Sequence, residues 1–129
     1  MIAVDTSALV AIILGEAELE RFAAIIAREP CVVSAVSVTE AALVVETRQG
    51  PDAVEDLRRL LDRARVEVVP ADTELAWVAH AAWRRFGKGR HPAGLNFGDC
   101  FSYALAKLRA VPLLFKGEDF TQTDIDLAR

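Results

Sequence analysis

Four short β-prone runs separated by stretches of helical periodicity constrain this chain more than any other feature. They are Ile2-Ala3-Val4, Cys31-Val32-Val33, Val66 to Val69, and Pro112-Leu113-Leu114-Phe115. Only the third contains a charged residue, and none shows the sustained apolar–polar alternation of a strand wet on one face. Strands of this kind are buried on both faces, which requires helices above and below them. The expected architecture is therefore α/β, with a central, mostly parallel sheet flanked by helices. At 129 residues the chain suits one hydrophobic core, so residues 1–129 are expected to form a single domain.

The helical segments follow from apolar spacing and from stop signals. Ser7 to about Leu14 predicts a short apolar helix broken at Gly15, and Glu16 to Arg28 a second one closed by Pro30. Ser37-Val38-Thr39-Glu40 has the pattern of a capping box and predicts a helix start there, with an end near Gly50. Pro51 suits the first turn of the next helix, whose apolar stripe is Val54, Leu57, Leu61 and Ala64. Asp72 or Thr73 opens another, with Leu75, Val78, Ala79, Ala82, Trp83 and Phe86 inward. After the loop from Gly87 to Gly94, Asn96 leads into a helix running to about Arg109, with Phe101, Ala104, Leu105 and Leu108 spaced for packing.

Acids fall at the junctions of this pattern. Asp5 ends the first strand, Glu40 opens the helix after the second, Asp99 opens the helix before the last strand, and Asp119 follows that strand. Ligands of parallel α/β sheets gather beyond the carboxyl ends of the strands, and all four acids map to that edge. Each has an ordinary role as a helix cap or turn former. Caps alone do not explain why all of them share one edge. Clustered carboxylates repel and require a cation or a proton. An oxygen-only donor set without thiolate or imidazole suits Mg²⁺, with Mn²⁺ as a substitute, better than zinc. Such ions activate water and stabilise charge on a phosphoryl oxygen, which is the chemistry of phosphodiester hydrolysis or phosphate transfer.

Four motifs carry a resemblance. Met1-Ile2-Ala3-Val4-Asp5-Thr6-Ser7-Ala8-Leu9 resembles the opening motif of PIN-domain ribonucleases, in particular VapC-type toxins of type II toxin–antitoxin systems. Ser34 to Glu40 resembles their second motif, Asn96 to Ala106 their third, and Leu113 to Phe120 a variant of their fourth, in the right order through nearly the whole chain. The resemblance implies a PIN-like three-layer fold and Mg²⁺-dependent endonuclease action on RNA. It also implies neutralisation by a cognate antitoxin, and a homodimer. Asp5, Glu40 and Asp99 correspond to the core acidic set, with Asp119 as the fourth member. Gly117 stands where many relatives carry aspartate, so the last acid comes from Asp119, with Glu118 second.

Fifteen Lys+Arg against nineteen Asp+Glu give a net charge of −4, which argues against broad duplex binding through a basic surface. It leaves room for local phosphate contacts by Arg84, Arg85, Lys88, Arg90 and His91, the compact basic patch, or by Lys116. Thr6 or Ser7 is expected to meet a metal-bound water or phosphate, or only to cap the first helix. His80 and His91 do not form a catalytic pair. Tyr103 and Trp83 read as packing groups, and Cys31 and Cys100 as buried thiols rather than a bridge. The start has no basic region before an apolar stretch, and no apolar run is long enough to span a membrane, so a cytoplasmic protein without membrane attachment is expected. Two alternatives compete with the nuclease. A receiver-type phosphotransfer domain shares the acids and a late lysine but requires an acidic pair after the first strand and a phosphoacceptor after a middle one; Val66 to Val69 stops at Pro70 instead. A noncatalytic interaction protein or decayed nuclease would use the acids only as caps, and metal-dependent turnover separates it from an enzyme.

Overall fold

The computed structural model describes all 129 residues. Its strands are β1 (Ile2–Val4), β2 (Cys31–Ser34), β3 (Glu67–Val69) and β4 (Leu113–Leu114). Its helices are α1 (Thr6–Ile13), α2 (Leu19–Arg28), α3 (Ala35–Gln49), α4 (Pro51–Arg63), α5 (Thr73–Phe86) and α6 (Phe97–Arg109). The sheet is wholly parallel, in the order β3-β2-β1-β4. The chain thus winds outward from β1 through β2 to β3, then returns to place β4 on the other side of β1. That reversal leaves a crevice beyond the ends of β1 and β4, the usual place for a ligand in a doubly wound sheet.

Alternate strand residues feed two cores. Ile2, Val4, Cys31, Val33 and Leu114 face Leu9, Phe22, Ile26, Ala41, Leu57 and Leu61, so α1 to α4 form one outer layer. Ala3, Val32 and Leu113 face Leu75, Ala79, Phe86, Tyr103 and Leu105 of α5 and α6, the other layer. This is the three-layer arrangement expected from the apolar runs. The C-terminal tail covers the outer side of β4: Leu113 N–H donates to Asp126 O at 2.8 Å and Ala128 N–H to Leu113 O at 2.9 Å. Asp124 ties the tail to the helices, accepting from the Tyr103 hydroxyl and pairing with Lys107 Nζ at 2.9 Å and Arg85 Nη1 at 3.3 Å.

Several local expectations need correction. The helix expected from Glu16 begins at Leu19, because Glu16 and Glu18 lie in the preceding turn and bind Lys116 Nζ at 3.0 and 3.3 Å. The helix expected to open at Ser37 opens at Ala35, capped by Ser34, whose Oγ accepts from Val36 N–H at 3.2 Å. Strand β3 is the sheet edge and is partly exposed; the preceding Val66 is buried and Val69 packs partly against the core. Trp83 and Leu108 stay partly in solvent instead of packing inward. Cys31 and Cys100 are separate buried thiols, each pushed up to about 11, first by burial and then by a neighbouring carboxylate. No helix is long and apolar enough to cross a membrane.

Candidate functional site

The backbone leaves β1 at Asp5 in extended conformation and turns into α1, which makes Asp5 the cap of that helix. Its Oδ2 accepts from Ser7 N–H at 3.0 Å and from Ser7 Oγ at 2.7 Å. Its Oδ1 accepts from Ser102 Oγ at 2.5 Å, and Ser102 in turn lies 3.2 Å from Ser37 Oγ. Asp5, Ser37 and Ser102 are all buried. Three elements thereby fix one carboxylate: the turn into α1, the first turn of α3, and α6.

Glu40 sits in the second turn of α3, not the first. It does not partner Ser37 in a capping box; its Oε1 accepts from Thr6 Oγ1 at 2.6 Å. Its carboxylate also lies against Gly98 of α6, so closely that a Cβ built on Gly98 would stand 2.6 Å from Glu40 Cδ. Glycine at that position is what lets α3 and α6 bring their acids side by side.

Asp99 is the third residue of α6 and forms a true capping box: Asn96 Oδ1 accepts from Asp99 N–H at 2.8 Å, and Asp99 Oδ2 accepts from Asn96 N–H at 3.0 Å. The cap is not its only role. Burial raises the Asp99 carboxyl, the Asn96 N–H bond pulls it down, and the carboxylates of Asp5, Asp119 and Glu40 raise it further, so that it is pushed up to about 7. That mutual repulsion places all four acids in one electrostatic neighbourhood. Asp119 is the outermost, exposed in the turn after β4.

The acids converge without closing. No three of them are gathered tightly enough to grip an ion between them, because Asp5, Glu40 and Asp99 each rest on their own hydroxyl or N–H donors. Nor does any ion pair neutralise the four. Lys116, the nearest cation by chain position, holds Ser7 Oγ through its backbone N–H at 2.9 Å but turns its ammonium to Glu16 and Glu18. An edge of carboxylate oxygens with uncompensated negative charge fits a hard divalent cation in donor type and in charge. Glu118 is exposed and interacts locally with Thr121.

The remaining polar expectations separate. Thr6 and Ser7 both reach the acids, Thr6 holding Glu40 and Ser7 holding Asp5. The basic patch disperses: Arg85 pairs with Asp124, Arg90 stacks on Trp83, and His91 Nδ1 accepts from Ala93 N–H. Sequence reasoning missed Ser102 and Gly98, and gave Ser37 the role of a helix cap that Ser34 fills. Two signals were available: Ser102 lies three residues after Asp99, on the same helix face, and a glycine in a first helical turn marks a close approach.

Against known proteins, the model of the PIN domain matches residues 2–126. A VapC ribonuclease of Mycobacterium bovis is 52% identical over 123 residues, covering 95% of this chain and 94% of that one. The ribonuclease VapC of Mycolicibacterium smegmatis is 50% identical, covering 95% of each. Among solved structures, the Mycobacterium tuberculosis toxin VapC20, described as cleaving the sarcin–ricin loop, superposes with a TM-score of 0.82 at 21% identity, covering 100% of this chain and 99% of that one. A chain of a toxin–antitoxin complex from Klebsiella pneumoniae gives 0.74 at 17% identity, covering 99% and 97%.

Proposed function

The chain belongs to the PIN-domain family, and from that premise we propose that it is a divalent-metal-dependent endoribonuclease, the toxin of a VapC-type pair held in check by a cognate antitoxin. The observation that carries this reading is the convergence of four acids at the sheet's switch point, uncompensated by any ion pair, where burial first and the neighbouring carboxylates next push Asp99 up to about 7. The near-full-length likeness to VapC ribonucleases supplies the substrate class.

In this reading Asp5, Glu40 and Asp99 hold Mg²⁺, or Mn²⁺ in its place, and Asp119 supplies a fourth carboxylate from the exposed turn. A divalent ion bound there lowers the pKa of a water and offsets charge on the phosphoryl oxygens. The chain's own contribution is orientation. Ser7 and Ser102 fix the two oxygens of Asp5, Thr6 fixes Glu40, and the Asn96 cap fixes Asp99, so each carboxylate is held at the shared edge and closes on an ion by turning from its own donors. Asp119 has no such support, which suits a residue that orients water or completes the site once RNA is present. The partners are RNA, the antitoxin and a second copy of the chain.

The test is cleavage of a total RNA pool with Mg²⁺ or Mn²⁺, comparing wild type with Asp5→Asn and Asp99→Asn and sequencing the new ends. Discrete cuts that vanish with EDTA and in both variants are expected. Undiminished cleavage by both variants would sink the assignment of the acids.

A further inference from the structure

On the other flank of the α6 start lies a groove that the roles assigned above leave unused. It runs between α5 and α6, encloses about 530 Å³, and is floored by the buried Ala79, Leu95 and Cys100. That volume lies within the ~300–1,000 Å³ range of small-ligand sites. Its walls are aromatic. Phe97, the first residue of α6 and two residues before Asp99, is 75% exposed, with its ring tilted against Phe101 at 5.1 Å. Trp83 is 40% exposed and folds back over the end of α5, where a Cβ on Gly87 would stand 2.8 Å from its Nε1. His80 stacks on the Trp83 ring at 6.0 Å, and the Arg90 guanidinium lies 4.8 Å above it. The indole is thus held in one orientation.

Charge selects the occupant. No carboxylate lines this groove, Lys88 does line it, and Lys88 forms no ion pair, in a chain whose net charge is −4. Position selects it too. Asn96 lines the groove and also donates its N–H to Asp99 Oδ2, so one residue joins the groove to the acids. We propose that the groove receives an unpaired nucleobase of the RNA strand beside the scissile phosphate, stacked on Phe97, with Lys88 meeting an adjoining phosphate. Aromatic platforms with nearby cations are the general means of holding single strands. The inference rests on the RNA-cleaving role proposed above.

The experiment is steady-state cleavage of a single-stranded RNA oligonucleotide by wild type, Phe97→Ala and Lys88→Ala, repeated with an oligonucleotide made abasic next to the cut. Because Phe97 is largely in solvent, its removal leaves the fold intact. Phe97→Ala is expected to raise KM about fivefold to a hundredfold with kcat nearly unchanged. The abasic substrate should show the same loss with wild type and no further loss with Phe97→Ala. An unchanged KM in Phe97→Ala overturns the proposal, as does conversion of a dimer to a monomer in sedimentation, which would assign the groove to a second copy. Loss of antitoxin binding with KM unchanged would assign it to the antitoxin and likewise overturn it. If wild type cleaves nothing, the nuclease reading fails separately, and tryptophan fluorescence still decides the groove. Quenching by the RNA that is lost in Phe97→Ala supports base binding, and no quenching in wild type overturns it.

Discussion

Replacing Gly98 with alanine should separate folding from activity. The added methyl would sit 2.6 Å from Glu40 Cδ, whereas ordinary contact begins near 3.4 Å. Backbone of α6 cannot give way easily, since Ala104, Leu105 and Ala106 are packed in the core. The flexible end of Glu40 therefore moves, by about 1 Å, and leaves the 2.6 Å hydrogen bond from Thr6. Losing that bond costs about 1–3 kcal/mol, while alanine in a helix gains up to about 1 kcal/mol over glycine. Net stability should fall by no more than about 3 kcal/mol, a Tm change of several degrees. Activity should fall far more, because a 1 Å misplacement of a catalytic group can cost about a hundredfold. The assay is kcat on a cleaved oligonucleotide beside a urea melt, in wild-type and Glu40→Ala backgrounds. If Gly98→Ala acts through Glu40, it costs little more once Glu40 is gone. Activity within threefold of wild type, or an equal loss in both backgrounds, would refute the steric argument.

Two further outcomes follow from the same geometry. Ser102→Ala removes the donor to Asp5 Oδ1 and strands Ser37; urea unfolding should show a loss of about 1–3 kcal/mol, and half-maximal cleavage should need about tenfold more Mg²⁺. The second concerns pH in EDTA-treated protein. Asp99 has its carboxyl raised from 3.8 to about 7 in the fold, so between those values the folded state binds more protons than the unfolded chain, and this group's contribution to stability falls as pH rises. The total is at most about 4 kcal/mol. Wild type should therefore lose stability relative to Asp99→Asn as pH rises from about 4 to 7, and Mg²⁺ should reverse the loss. A difference that stays flat across that window would contradict the raised Asp99 carboxyl, which burial causes first and the neighbouring acids add to.

Much of this protein was legible in one dimension. The apolar runs announced a sheet buried on both faces, since a strand without alternation has no side to give to water. Asp5, Asp99 and Asp119 stood at strand and helix ends where backbone geometry alone aims them at one edge. What the sequence could not carry was the set of contacts between segments far apart in the chain. The hydroxyl of Ser102 reaches Asp5 across 97 residues and Thr6 reaches Glu40 across 34; neither spacing has a periodicity to betray it. Local pattern even misled: Ser37 and Glu40 match a capping box, but Ser34 took the cap and a tertiary partner took Glu40. The same division holds for Phe97 and Trp83, whose aromatic character was plain in the sequence. Only the packing of α5 on α6 determined that they would remain partly in water along one groove, because burial is a property of the surfaces that meet and not of the residue itself.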